Sequence, residues 1–118
     1  MLFRFRNFPV YIKAKEFRKF VKKLLTKIPR SDYDLKDQID RATTSICLNI
    51  AEGSNRVSDK DKAHFLNQAL TSLEEVVAGF DLALDDGYIT ASDMKILIEE
   101  GQDVGRQLIG FSKTLRSS

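Results

Sequence analysis

Gln38, Arg41, Ser45, Asn49 and Glu52 follow one another at spacings of three, four, four and three residues. On a helix that advances by about 100° per residue these side chains make one polar stripe. The stripe runs beside an apolar one formed by Leu35, Ile39, Ala42, Ile46 and Ile50, and Leu48 flanks its other side. A guanidinium presents five donors in a fixed fork, and Glu52, Glu74 and Glu75 are the candidate acceptors for Arg41. Ser72 and Glu75, in a later segment, complete the set. Polar groups held between apolar flanks must find partners, and enclosed charges must be paired. Such a set can serve a ligand or a reaction, or it can form a buried hydrogen-bond network that fixes helix register or a subunit interface. Catalysis calls for a nucleophile, a general base or a metal in a pocket. A Glu–Arg–Asn set without His or Cys is a poor start for that, so the buried network or interface is the expected role.

Other chemistry-bearing residues lead to less. His64 opens a helical segment beside Phe65 and is expected to face solvent or pack. Ser45, Ser54 and Ser72 have no evident base. Glu74–Glu75, Asp85–Asp86 and Glu99–Glu100 are adjacent pairs, and neighbours on a helix point apart and do not chelate one ion together. No Glu-x-x-His pair of the di-iron bundles exists, and one Cys and one His cannot build a metal cluster. No metal, cofactor or enzymatic activity is expected. The turn Gly53-Ser-Asn-Arg-Val-Ser58 could hold an anion at a helix N-terminus, yet it lacks the Gly-Lys-Ser/Thr of a phosphate loop. A tight turn is the expected reading, with Gly53 ending one helix in a left-handed conformation, Ser54 in the turn and Ser58 capping the next helix.

Charge is unevenly spread. Residues 1–30 carry ten cations against Glu16, a net +9, and the remaining residues sum to −7. Arg4 and Arg6 precede the first helical segment, and Lys15, Arg18, Lys19, Lys22 and Lys23 cluster on its outer side. Such a face suits phosphate backbones without reading bases; the alternative is a solvated face, or one docked on the acidic remainder of the chain. Several copies in a ring would concentrate the positive potential.

The elements that must position these residues are helical. The first segment repeats Val10, Ala14, Phe17, Val21, Leu24 and Ile28 until Pro29 stops it. The third, opened by Ser58 and Asp61, carries Leu66, Ala69, Leu73, Val76, Phe80 and Ala83 and closes at Gly87. The fourth, opened by a capping box at Thr90 and Asp93, carries Met94, Leu97, Gly101, Val104, Leu108, Phe111 and Leu115. No strand-like alternation is present. The spacing predicts helices over about 9–28, 33–53, 58–86 and 91–115, the third being longest, with residues 1–8 as an extended arm. Short connections and 3-4 spacing imply an all-α, antiparallel up-down-up-down four-helix bundle in one domain. Gly101 and Gly105 each give up about 1 kcal/mol of helix propensity, which points to close approach by a neighbouring helix or subunit. A 118-residue chain with 42% hydrophobic and 31% charged residues, no 18-residue apolar run and no signal-peptide pattern is expected to be cytoplasmic and not membrane-bound.

Several segments together resemble the 23S rRNA intervening-sequence protein family, also called four helix bundle proteins. They are F-R-N-F-P-V-Y (5–11), L-K-D-Q-I-D-R-A (35–42), S-I-C-L-N-I-A-E-G-S (45–54), S-D-K-D (58–61), F-L-N-Q-A-L-T-S-L-E-E (65–75) and L-D-D-G-Y-I (84–89). The resemblance spans nearly the whole chain, and S-I-x-x-N-I-A-E-G-S is its most specific part. It implies a compact antiparallel four-helix bundle, a ring-shaped homo-oligomer with five copies, and no catalytic activity. It also implies association with RNA or DNA, or with a protein partner such as a reverse transcriptase, as in the related accessory protein of diversity-generating retroelements. The family pattern maps onto Gln38, Arg41, Ser45, Asn49, Glu52, Gly53, Ser54, Arg56, Ser72 and Glu75. The chain departs from it at Thr43 and Thr44, where Ala and Val are common. It departs also at Cys47, where Pro often sits, so a straighter second helix is expected. The acidic stretch 81–103 makes it less basic than the retroelement branch.

Overall fold

The computed structural model describes residues 2–117, with side chains to Lys113, so the Leu115 position of the expected fourth stripe lies outside the described side chains. Four α-helices and no strand occur among the described residues: α1 Pro9–Leu25, α2 Tyr33–Ser54, α3 Asp59–Asp85 and α4 Ala91–Ser117. Pro9 stands at the first position of α1, where its missing N–H costs nothing. The expected end of α1 at residue 28 falls three residues late. Thr26, Lys27 and Ile28 form i→i−3 turns, because a residue before proline is pushed out of the helical region. Ile28 nonetheless stays buried. Residues 4–7 are not an extended arm but a 3-10 turn, Arg4–Asn7, pinned by Phe5 edge-on to Tyr11 and Phe8 tilted against Phe111.

The caps explain the other boundaries. The Ser58 hydroxyl accepts from the Asp61 N–H at 3.1 Å. Thr90 and Asp93 exchange backbone N–H bonds with each other's side chains at 3.0 Å, a complete capping box. Gly87, at φ +80°, ends α3 in a Schellman turn: the Tyr88 N–H reaches the Ala83 carbonyl and the Gly87 N–H the Leu84 carbonyl. α4 equals α3 in length, at 27 residues each.

α1 packs on α2 and α4, and α3 packs on the same two, with α1 and α3 diagonal to each other. Contacts run in opposite order along the α1–α2, α2–α3 and α1–α4 pairs. Lys22 meets Asp40 and Arg18 meets Thr44. Ile39 lies at Gly79 and Gly53 at Phe65. Lys13 meets Glu100 and Lys27 meets Asp93. The molecule measures 46 × 23 × 22 Å, the length of its longest helices plus their corners. Its core is the set of stripes: Phe17, Val21, Ile39, Ile46, Ile50, Leu66, Val76, Phe80, Leu97, Val104 and Leu108 are fully buried.

Candidate nucleic-acid interface

α1 divides its charge among three edges. On one edge the Lys13 ammonium donates to Glu100 at 2.9 Å, and Lys27, just past the end of α1, donates to Asp93 at 2.7 Å, tying α1 and its end to acids of α4. The bond to Glu100 raises the Lys13 pKa above its usual value against the opposing effect of burial, and Asp103 adds to the rise. On the opposite edge Lys22 pairs with Asp40 at 2.5 Å and the Arg18 Nε donates to Thr44 Oγ1 at 3.3 Å, tying α1 to α2. Between them Lys15, Lys19 and Lys23 stand exposed at every fourth position. That ridge is about 12 Å long at 1.5 Å per residue. Among the described residues none of these three makes an ion pair; Lys15 lies 5.1 Å from the centre of the Tyr11 ring. Arg4 and Arg6 are exposed in the turn ahead of the ridge, with Arg4 5.9 Å from the centre of the Phe8 ring. Part of the +9 excess thus docks on the chain's own acids, and the rest faces solvent.

The polar stripe of α2 does not form the expected buried network within the chain. Arg41 is 74% exposed and pairs with Asp37 at 3.1 Å, one turn back, and not with Glu52, Glu74 or Glu75. Glu52 is 52% exposed and accepts from Arg56 at 2.6 Å. Gln38 and Glu75 are exposed. The reason is Leu48: the flank expected to enclose the stripe is itself 59% exposed. Only the middle of the set is joined. Ser72 Oγ donates to Ser45 Oγ, and Asn49 Nδ2 donates to Ser45 Oγ and to the Ser45 carbonyl, all at 2.9 Å. This short chain locks α2 to α3; Thr43, buried on another face of α2, bonds its hydroxyl back to the Ile39 carbonyl at 2.7 Å. It holds register and has no group positioned for proton transfer.

The α2–α3 corner is also built differently from the expected one. Gly53 is helical, and α2 continues through Ser54, whose hydroxyl donates to the Ala51 carbonyl at 2.8 Å. Asn55 closes the helix at φ −102°. Gly53 serves instead as a close-packing site: a Cβ there would lie 3.0 Å from the Phe65 Cβ. Arg56 stacks on the same Phe65, 4.7 Å from its centre. His64 is exposed, edge-on to Phe65 at 5.2 Å.

Sequence reasoning missed two features. Gly79, not singled out, is a close-packing site between α3 and α2, with the Ile39 Cγ1 2.5 Å from a hypothetical Cβ; a lone glycine inside a long helical run was the available signal. Gly101 and Gly105, which were singled out, have room for a Cβ at 3.6 Å or more within the chain. The second omission is the cleft between the N-terminal turn and the α2 C-terminus, about 310 Å³, lined by Phe3, Arg4, Phe5, Glu52, Asn55 and Arg56 among others. The alternation of Phe and Arg over residues 3–6 was its signal. No group of three metal-ligating side chains occurs among the described residues, and no described helix is long and apolar enough to cross a membrane.

Comparison with known proteins agrees with this architecture. No curated protein matches the chain. A crystal structure of a protein with unknown function from the S23 ribosomal protein family of Bacteroides thetaiotaomicron VPI-5482 is similar to it, with TM-score 0.79 and 26% identity, covering 88% of this chain and 95% of that one. The family model described as 23S rRNA-intervening sequence protein matches residues 6–110. The match takes in all of α1, α2 and α3 and most of α4, and the chain belongs to the 23S rRNA-intervening sequence protein family.

Proposed function

We propose that this chain is a non-enzymatic, self-associating, antiparallel up-down-up-down bundle that binds structured nucleic acid through the outer ridge of α1. The opposite order of contacts along the α1–α2, α2–α3 and α1–α4 pairs supports the topology. The observation that carries the function is the division of α1: Lys13, Lys22 and Lys27 are spent on internal pairs, while Lys15, Lys19 and Lys23 remain open to solvent beside Arg4 and Arg6. An unpaired cationic row of this kind attracts phosphates, releases counterions and reads no base.

Self-association is supported by what the single chain leaves uncovered. Leu48 stands among Arg41, Ser45 and Asn49, and Leu82 near Gln38 and Glu75, so the polar stripe and its apolar neighbours form one mixed, exposed face. Mixed faces of this kind suit subunit contacts, whose rims are polar. A closed ring, five-membered by the family resemblance, would set the α1 ridges side by side and raise their joint potential.

Filter binding of structured rRNA fragments and duplex DNA at low salt, with the mass measured by sedimentation, tests the proposal. Retention that falls steeply with salt, by an assembly larger than 13.4 kDa, is expected. No retention of either at low salt refutes the nucleic-acid reading. A second reading, a scaffold for a protein partner, is favoured by the apolar groove between α3 and α4, about 390 Å³, lined by Leu70, Leu73, Val77, Ile98 and Ile109. A pull-down that returns one protein after nuclease treatment, together with a failed filter assay, would select it.

A further inference from the structure

We infer that the cleft between the N-terminal turn and the end of α2 receives one unpaired base of a nucleic acid, with Phe3 as the stacking platform. The inference rests on the nucleic-acid reading above and assigns a second, different element of recognition beside the α1 ridge.

Phe3 carries the inference. Of the eight phenylalanines it alone is exposed, at 67%. Its neighbours are already engaged: the Phe5 ring meets Tyr11 edge-on with centres 5.0 Å apart, and the Phe8 ring meets Phe111 at 5.3 Å. Phe3 also sits in the left-handed region, at φ 64° and ψ 25°, the one non-glycine residue with positive φ among those described. A bulky side chain is rarely found there, and residues held in such conformations concentrate at binding sites. The Arg6 N–H bonded to the Phe3 carbonyl at 3.2 Å holds the turn in place.

The cleft walls match the other parts of a nucleotide. Arg4 and Arg56 stand against one acid, Glu52, a net charge of +1 around the opening. Arg56 already occupies Glu52 at 2.6 Å, so the carboxylate does not face an incoming phosphate alone. Asn55 offers an amide donor and acceptor to a base edge. At about 310 Å³ the space lies at the lower end for small-ligand clefts. Aromatic platforms flanked by cations are the general means of holding unpaired bases. The cleft is also continuous with the ridge: Phe5, in its lining, touches Tyr11, and the Lys15 ammonium lies over Tyr11. A strand whose backbone follows Lys23, Lys19 and Lys15 is led to this opening.

Fluorescence anisotropy with the full chain and two labelled RNAs tests the inference: a blunt hairpin, and the same hairpin with a four-uridine 3′ tail. The tail is expected to tighten binding roughly five- to a hundredfold, the range for a base stacked on one aromatic ring. Phe3→Ala should abolish that increment, leave hairpin affinity unchanged and melt as the wild type does, and Phe3→Trp should retain the increment. Arg4→Gln, at an exposed site, provides a second variant that should reduce the tail increment. A deoxythymidine tail with the same increment assigns the cleft to bases of either nucleic acid, and one without it assigns the cleft to RNA. Equal affinity of the wild type for both RNAs, or an increment that survives Phe3→Ala, overturns the cleft and leaves the ridge standing. Unchanged hairpin binding in a Lys15→Gln, Lys19→Gln, Lys23→Gln variant with the tail increment intact overturns the ridge and leaves the cleft. No binding of either RNA overturns both.

Discussion

Gly79→Ala should destabilise the fold, although alanine is the better helix former. In the middle of α3 the exchange gains about 1 kcal/mol of propensity. Against this, the new methyl would lie 2.5 Å from the Ile39 Cγ1 and 2.9 Å from its Cδ1. Ile39 is fully buried in α2, and a β-branched side chain on a helix has essentially one χ1 rotamer to occupy. It cannot turn aside, so the helices must separate or the rotamer must strain. Overpacking of this kind costs about 1–3 kcal/mol, and the severity of the contact places it in the upper half of that range. A net loss of about 1–2 kcal/mol follows from setting the overpacking cost against the propensity gain. Gly101→Ala is the control, because its Cβ would meet Leu73 and Phe17 at 3.7–3.8 Å, in ordinary contact. It should gain up to about 1 kcal/mol. Urea unfolding followed by circular dichroism at fixed protein concentration gives both values. A double-mutant cycle with Ile39→Ala, which removes the clashing carbons, should show a favourable coupling of about 2–3 kcal/mol, the overpacking cost itself, since the propensity gain cancels. If Gly79→Ala is as stabilising as Gly101→Ala, or the cycle shows no coupling, the α2–α3 approach is not as tight as described.

Two further outcomes follow from the ion pairs. Glu52→Ala removes one exposed i,i+4 pair, so urea unfolding at concentrations below assembly should register a loss under about 1 kcal/mol; a loss of several would mean that Glu52 has a buried partner after all. The Lys27 ammonium, bonded to Asp93, and then the Thr90 N–H hold the Asp93 carboxyl below its ordinary pKa. The stability this group contributes is therefore complete above the pKa of an unfolded aspartate, about 3.9, and is lost as pH falls through the lower folded value. In urea titrations the wild type should exceed Asp93→Asn at neutral pH and converge with it at strongly acid pH. A constant difference across that window would exclude the linkage.

The helices were legible because their signals are local. Apolar residues at 3-4 spacing identified the buried faces of all four, and Ser58, Gly87 and Thr90 marked their ends through cap chemistry that needs no tertiary information. What was not legible depends on the surroundings of each helix. The α2 stripe looked enclosed because Leu48 is apolar, but periodicity cannot say whether an apolar flank finds a neighbour, and Leu48 does not within one chain. Glycines depend on their surroundings in the same way. Gly101 and Gly105 form a recognisable pattern with no close neighbour within the chain to require it, whereas Gly79 matters because of Ile39, forty residues away. Gly53 looked like a helix terminator and is a contact point with Phe65. The basic ridge could be located from sequence, yet which cations are open depends on the acids of α2 and α4 that face them.

The salt dependence of structured-RNA affinity tests the central claim most directly. The wild type should show a linear fall of log K with log salt, and Lys15→Gln, Lys19→Gln, Lys23→Gln should weaken binding across all sequences alike. Each lost phosphate contact lowers the slope by about 0.7–0.9, so the triple variant should lose roughly 2–3 from it. Lys13→Gln and Lys27→Gln, which lose internal pairs with α4, should leave the slope unchanged. A triple variant with the wild-type slope would contradict the assignment of the α1 ridge as the nucleic-acid interface.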